Sequence, residues 1–283
     1  MLLGFVYSPA QTIINRKDDD DRDRKEYRRR DDDDRDQRET RTKKDLEYRV
    51  DFPNARDHKV SIQVDNSKVR IEGYNGDEVV IQAVGLQAPP ERAKGLKPLY
   101  YSAEDNSGTG LSVKQEGKTL YIVKASRQDG RYTIRLPKKV AVSFEQVNWQ
   151  GDDLLITNLE GDLEVKTNNA DIDIRNVTGP LVASTTSGDI TVTYSDVEQS
   201  KPSSISNISG VVDVTLPADT RADLKMKSIT GEIYSDLDLS LHQGKGSMRR
   251  VGGGHTVEGS LNGGGVEISL HTISSDIYVR KPK

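Results

Sequence analysis

Four consecutive nine-residue units run through the middle of this chain: GDLEVKTNN from Gly161, ADIDIRNVT from Ala170, GPLVASTTS from Gly179 and GDITVTYSD from Gly188. Each opens on a small residue and carries apolar residues at its third and fifth positions. These are Leu163 and Val165, Ile172 and Ile174, Leu181 and Ala183, Ile190 and Val192. Alternation with a period of two describes a strand with one buried face. The pattern returns as ADLKMKSIT at 222–230 followed by GEIYSDLDL at 231–239, and near the start as KVSIQVDNS and KVRIEGYNG from Lys59 and Lys68.

The junctions between units alternate in kind. Asn-apolar-x-Gly ends at Gly161, Gly179 and Gly210, with Ser-Ile-Thr-Gly231 as a variant, while TNNA and TTSG end at Ala170 and Gly188. The full repeat is therefore about eighteen residues: strand, turn, strand, turn. The expected fold is all-β, a β-solenoid resembling a single-stranded β-helix, in which each coil completes its neighbour's core and Ile172 lies over Ile190. An antiparallel β-meander or sandwich uses the same alternation and is the alternative. Tight Asn-Gly hairpins would favour it, and Tyr74-Asn75-Gly76-Asp77 is one candidate. No convincing helix is seen. The stretch PPERAKGLKPLYY is broken by Pro89, Pro90, Gly95 and Pro98 and reads as a loop.

The repeat domain is expected over 46–283. Before it, residues 17–45 are almost wholly charged, with acids and bases in short blocks. With so little to bury, a disordered charged linker is expected over 13–45. Its clusters Asp18–Asp21 and Asp31–Asp34 could attract calcium, but no Gly stands among them to turn a calcium loop. The opening MLLGFVYSPA, with small residues at Ser8 and Ala10, reads as the remnant of a signal peptide over 1–12. There is no cysteine, which excludes disulfides, thiolate metal sites and a lipidated N-terminal Cys. No apolar run of 18 residues exists, so no transmembrane segment is expected. A formal net charge of −4 gives no reason to expect nucleic acid as a partner.

Candidate chemistry is sparse. Asp171, Asp173 and Arg175 point outward from one strand, and Asp189 should stand one coil above Asp171. Stacked carboxylates could hold a cation between them, which makes Asp171, Asp173 and Asp189 weak metal candidates. In sequence order the ladder does not continue, because the next positions are Val211 and Glu232. A solvated strand face explains the acids equally well. The Gly clusters VGGGH and LNGGGV are not followed by a helix, as a phosphate loop would require. His58, His242, His255 and His271 show no metal spacing, and no GxSxG elbow occurs. No cofactor and no catalytic residue are expected. Tyr234 and Tyr278 should point outward at the position held by Asp173 and Thr191, where exposed aromatic rings could stack on a sugar or a protein partner.

The repeated phrases, the opening VSIQVDNSKVRIEGYNGDEVVIQA and the ending GSLNGGGVEISLHTISSDIYVRK resemble a bacterial adhesin-like family of β-strand repeat proteins, domains of unknown function, over about residues 50–283. Ser274-Ser275 departs from the Gly usual before Asp276. The resemblance implies a solenoid-like domain exported to the cell envelope, in the periplasm, on the outer membrane surface or outside the cell, with no enzymatic activity. Its partner would be an envelope protein or a glycan. A polysaccharide-active β-helix enzyme using the Asp171, Asp173 and Asp189 face, or a purely structural spacer, are the alternatives.

Overall fold

A computed structural model describes residues 43–283 apart from 54, 88–90, 94–95, 97–102, 147, 149–150 and 242–254. The expected signal remnant, nearly all of the charged linker with both Asp clusters, and Gly252–Gly254 lie outside the described residues. So does the 242–254 position of His242.

Strands begin at β1 (Lys43–Asp51), β2 (Lys59–Gln63), β3 (Ser67–Tyr74) and β4 (Glu78–Gln87). After the loop come β5 (Leu111–Glu116), β6 (Thr119–Lys124) and β7 (Gly130–Pro137). The central run is β8 (Ala141–Gln146), β9 (Leu154–Thr157), β10 (Leu163–Thr167), β11 (Ile172–Val177), β12 (Leu181–Ser187), β13 (Ile190–Tyr194), β14 (Ser203–Ser209) and β15 (Val212–Thr215). The last part holds β16 (Ala222–Ser228), β17 (Ile233–Ser235), β18 (Leu239–Leu241), β19 (His255–Leu261), β20 (Val266–Thr272) and β21 (Ile277–Arg280). Two short 3-10 turns, Ala55–Asp57 and Glu91–Ala93, are the only helical pieces among the described residues.

These strands form two sheets. The first runs β1-β4-β7-β3-β9-β11-β13-β15-β21-β17, and the second β18-β19-β16-β20-β14-β12-β10-β8-β2-β6-β5. In the centre the chain alternates between them, and each strand pairs in parallel with the strand two places later. Ile172 stands opposite Ile190, as the repeat predicts, and Leu163 opposite Leu181. Parallel pairing excludes the meander for this region. The Asn75-Gly76 turn does not close a hairpin either, because β4 pairs with β1 and β7 rather than β3.

The inward residues of both sheets share one core. Along the first sheet, one column runs Val69, Leu154, Ile172, Ile190, Val212, Ile277. All six are buried to within about 1% exposure. β-branched side chains stacked in register fill such a flat, two-sheet interior well. A second column, at the end of the second sheet's strands, is polar and buried: Gln146, Thr167, Thr185, Asn207, Thr272 and Ser228. Here Thr167, Asn207 and Ser228 link one rung to another, while the Gln146 amide finds no hydrogen-bond partner among the described residues. Thr167 donates to Thr185 at 2.8 Å, Asn207 Nδ2 donates to the Gly188 carbonyl at 2.6 Å, and Ser228 donates to the Ser275 carbonyl at 2.9 Å. Buried polar groups are retained where such partners exist.

The turns explain the glycines. A Cβ on Gly179 would lie 2.3 Å from the Gly161 carbonyl oxygen, and one on Gly210 would lie 2.1 Å from that of Gly188. The turns of neighbouring rungs stack so closely that no side chain fits between them. This contact also corrects the grouping of the turns. Gly210 stacks on Gly188, and Gly231 approaches Ser275, so the NISG and SITG turns share the corner of TTSG, not that of NVTG. The phase changes because β12 and β14 are 22 residues apart where β10 and β12 are 18 apart. Ser275 replaces glycine at this corner and uses its hydroxyl, which accepts the Gly210 N–H at 3.2 Å.

Spatial order and chain order part company at both ends. β20–β21 is inserted between β14–β15 and β16–β17, and β2–β3 between β6–β7 and β8–β9. Antiparallel strands finish the stack: β4 and β1 on β7, β5 on β6, and β19 on β16.

Candidate functional site

The turn that precedes each strand of the first sheet sets the position of the acids. The Asp189 N–H donates to Asp171 Oδ1 at 2.8 Å, and the Val211 N–H donates to Asp189 Oδ1 at 2.7 Å. The Glu232 N–H donates likewise to Asp276 Oδ1 at 2.8 Å. Each carboxylate therefore fastens the backbone of a neighbouring rung through a charge-assisted hydrogen bond. The ladder continues where sequence order ended it. Because β21 stands beside β15, Asp276 and not Glu232 follows Val211, and Glu232 comes after it.

Asp173 lies in a different column from Asp171 and Asp189, opposite Thr191. It is held by Arg175 of its own strand, whose Nε donates to Asp173 Oδ1 at 2.8 Å and whose second nitrogen also reaches that carboxylate. This hydrogen bond, with the charge beside it, raises the Arg175 guanidinium above its ordinary value. The three acids singled out from the sequence are thus split between a turn ladder and an ion pair. Among the described residues, no three His, Asp or Glu side chains gather as a metal group.

The column of Asp173 leads to the tyrosines. It runs Asp173, Thr191, Asp213, Tyr278, Tyr234 across neighbouring strands. The two rings stack with centroids 5.2 Å apart and planes 12° from parallel. Offset stacking at this separation is favourable beyond simple burial. Tyr278 is anchored: its hydroxyl donates to Asp276 Oδ2 at 3.1 Å, and the Arg280 guanidinium lies 5.3 Å from its ring. The hydrogen bond to Asp276 raises the Tyr278 phenol above its ordinary value, with burial adding to the shift. Arg280 in turn donates to Asp213 Oδ2 at 2.7 Å. Tyr234 belongs to β17, the last strand of the first sheet, and among the described residues no further strand stacks beyond it. It is 50% exposed.

Arg280 was legible as a neighbour, since it stands two residues beyond Tyr278 on the same face. Asp213 was not, because it lies 67 residues away and joins the cluster only through the β15–β21 pairing.

Residues 147–280 match the family model described as Toastrack DUF4097, and over that stretch the family resemblance read from the sequence is borne out. No curated protein matches the chain. The chain is similar to several solved structures, two of which follow. A "putative cell adhesion protein" from Clostridium sporogenes is 12% identical, with 85% of this chain and 100% of that chain covered and a TM-score of 0.47. A "putative adhesin" from Bacteroides fragilis is 15% identical, with 85% and 98% covered and a TM-score of 0.39. No helix among the described residues is long and apolar enough to cross a membrane.

Proposed function

We propose that this protein is a non-enzymatic, adhesin-like interaction module of the bacterial cell envelope. It is exported, and its parallel coils form a β-solenoid that presents one end of the first sheet to a glycan or an envelope protein. The observation that supports this most directly is the stacked Tyr234–Tyr278 pair. It is braced by Asp276, Arg280 and Asp213, and among the described residues Tyr234 stands half-exposed at the end of the sheet. A rigid, half-exposed aromatic surface loses little entropy when a partner covers it. The acids suit this reading better than hydrolysis. Asp171 and Asp189 each engage a backbone N–H, whereas a cleft enzyme needs groups converging on one reacting atom.

The test is a glycan array and an envelope-protein pull-down with the wild type and the Tyr234→Ala/Tyr278→Ala variant. Capture that drops about tenfold or more in the variant supports the reading, since exposed aromatic anchors dominate such contacts. Equal capture by both proteins would remove the tyrosine face from it. Polysaccharide cleavage that disappears in Asp171→Asn/Asp189→Asn would replace it with the enzyme.

A further inference from the structure

An open cleft of about 550 Å³ lies where the C-terminal ends of β3 and β7 meet the 3-10 turn Ala55–Asp57. Its volume falls in the range of about 300–1,000 Å³ usual for small-molecule sites. Its walls are tied in place. Tyr74 donates its hydroxyl to the Glu78 carbonyl at 2.9 Å, and the Tyr74 carbonyl accepts the Lys138 N–H at 3.0 Å. The turn at Gly76 folds over the ring so closely that a Cβ there would lie 2.2 Å from it. The Phe52 N–H holds the Asp77 carbonyl at 2.6 Å, and the Arg135 guanidinium sits 4.8 Å from the Tyr74 ring centre.

The polar lining has two signs. Lys138 is already paired with Glu160. Arg56 and Lys139 are exposed and have no ion-pair partner among the described residues, and the same holds for Asp57 and Asp77. Asn75 adds an amide able to donate and accept. A bare anion would be attracted by the cations and repelled by the two carboxylates. A neutral polyol would satisfy the carboxylates and leave the cations without a counter-charge. A sugar acid offers both halves: hydroxyl donors for Asp57, Asp77 and Asn75, and a carboxylate for Arg56 and Lys139.

We propose that this cleft is a binding site for a short uronic-acid oligosaccharide. It lies on strands and turns separate from those of Tyr234 and Tyr278, so it stands whether or not the tyrosine face binds a partner.

The experiment is an amide chemical-shift titration of the full chain with trigalacturonate, neutral galactotriose and inorganic phosphate as probes. The expected result is saturable shifts at residues 75–77 and 138–139 with trigalacturonate, and affinity at least tenfold weaker for the other two probes. Charge reversal by Lys139→Glu, at an exposed site that leaves the fold intact by circular dichroism, should weaken trigalacturonate at least tenfold. Tyr234→Ala/Tyr278→Ala should not change it. The proposal is overturned if trigalacturonate causes no saturable shift at these residues, if phosphate or galactotriose binds as tightly, or if Lys139→Glu has no effect.

Discussion

The centre of this domain and its C-terminal end use the same strands but different connections. From β8 to β15 the chain is its own neighbour: each strand pairs with the one a repeat later, at separations such as Ile172 to Ile190. At the C-terminal end β14 pairs with β20, and β16 then pairs with β20 from the other side. The side-chain columns pass through both regions without a break. Ser203, Ile268 and Leu224 continue the line begun by Leu163 and Leu181, even though β20 follows β16 in the chain. The lesson is that the rungs are nearly interchangeable. Their spatial order follows which strands take the two edges of β16. β19 lies antiparallel against β16, and this leaves the other edge of β16 for β20.

The largest effect should come from removing the inserted rung. Deletion of residues 266–283 takes away β20 and β21, which among the described residues are the strands that join β16 to β14 and β17 to β15. We expect protection from hydrogen exchange to be lost across β16, β17 and β19 and retained from β8 to β13, because each stacked unit is stabilised by its neighbours. If β16 and β17 instead stay protected, docked directly on β14 and β15, the rungs are fully interchangeable and the contrast between the two regions disappears.

Next come substitutions within one column. Ile190 is fully buried in mid-stack, whereas Ile233, in the last rung of the same column, is only partly buried. Ile190→Asp places an unpaired charge among packed side chains and should cost about 4 kcal/mol or more. Ile233→Asp should cost about 1–2 kcal/mol, since water reaches that rung. Thr191→Asp, on the exposed face, should cost under about 1 kcal/mol. Urea unfolding of the three variants measures this. Equal costs at Ile190 and Ile233 would show that the end rung is as well sealed as the centre.

The smallest effect concerns the N-terminal end, where Lys124 is buried against Ser67 and the Tyr132 ring. Burial pushes its ammonium down to about 8, and Asp129 and Asp65 only partly oppose this. Between about pH 8 and the ordinary lysine value near 10.5, the unfolded chain holds this proton and the folded chain has lost it. Stability should therefore rise with pH across that window, and below it the cost of burying the charge is fully felt. The gain from pH 7.5 to 9.5 should be under about 1 kcal/mol after solvent screening, and it should be absent in Lys124→Met. Parallel slopes for the two proteins in urea melts would show that this charge is not buried in solution.

Much of this was legible in the residues. Tyr234 and Tyr278 share the column of Asp173 and Thr191, as alternation predicted, because side-chain direction follows from a period of two once the strand is known. The role of Asp171 and Asp189 was not legible. An acid at a turn reads the same whether it faces water, a cation or the N–H of a neighbouring rung. The cleft was hidden for a similar reason, since Arg56, Tyr74 and Lys139 come from three separate segments.

By itself, the sequence determined the local facts: strands, their buried faces, the eighteen-residue register at the centre and the need for small residues at the corners. These depend on contacts between residues close in the chain or related by a fixed repeat. Only the tertiary structure decided that Tyr278 would stand between Asp213 and Tyr234, with β21 inserted out of order. The physical reason is the uniformity of the repeat. Rungs with the same apolar spacing can pair with one another in almost any order. The choice then falls to contacts between residues far apart in the chain, such as Gly210 with Ser275 and Glu232 with Asp276, 65 and 44 residues apart.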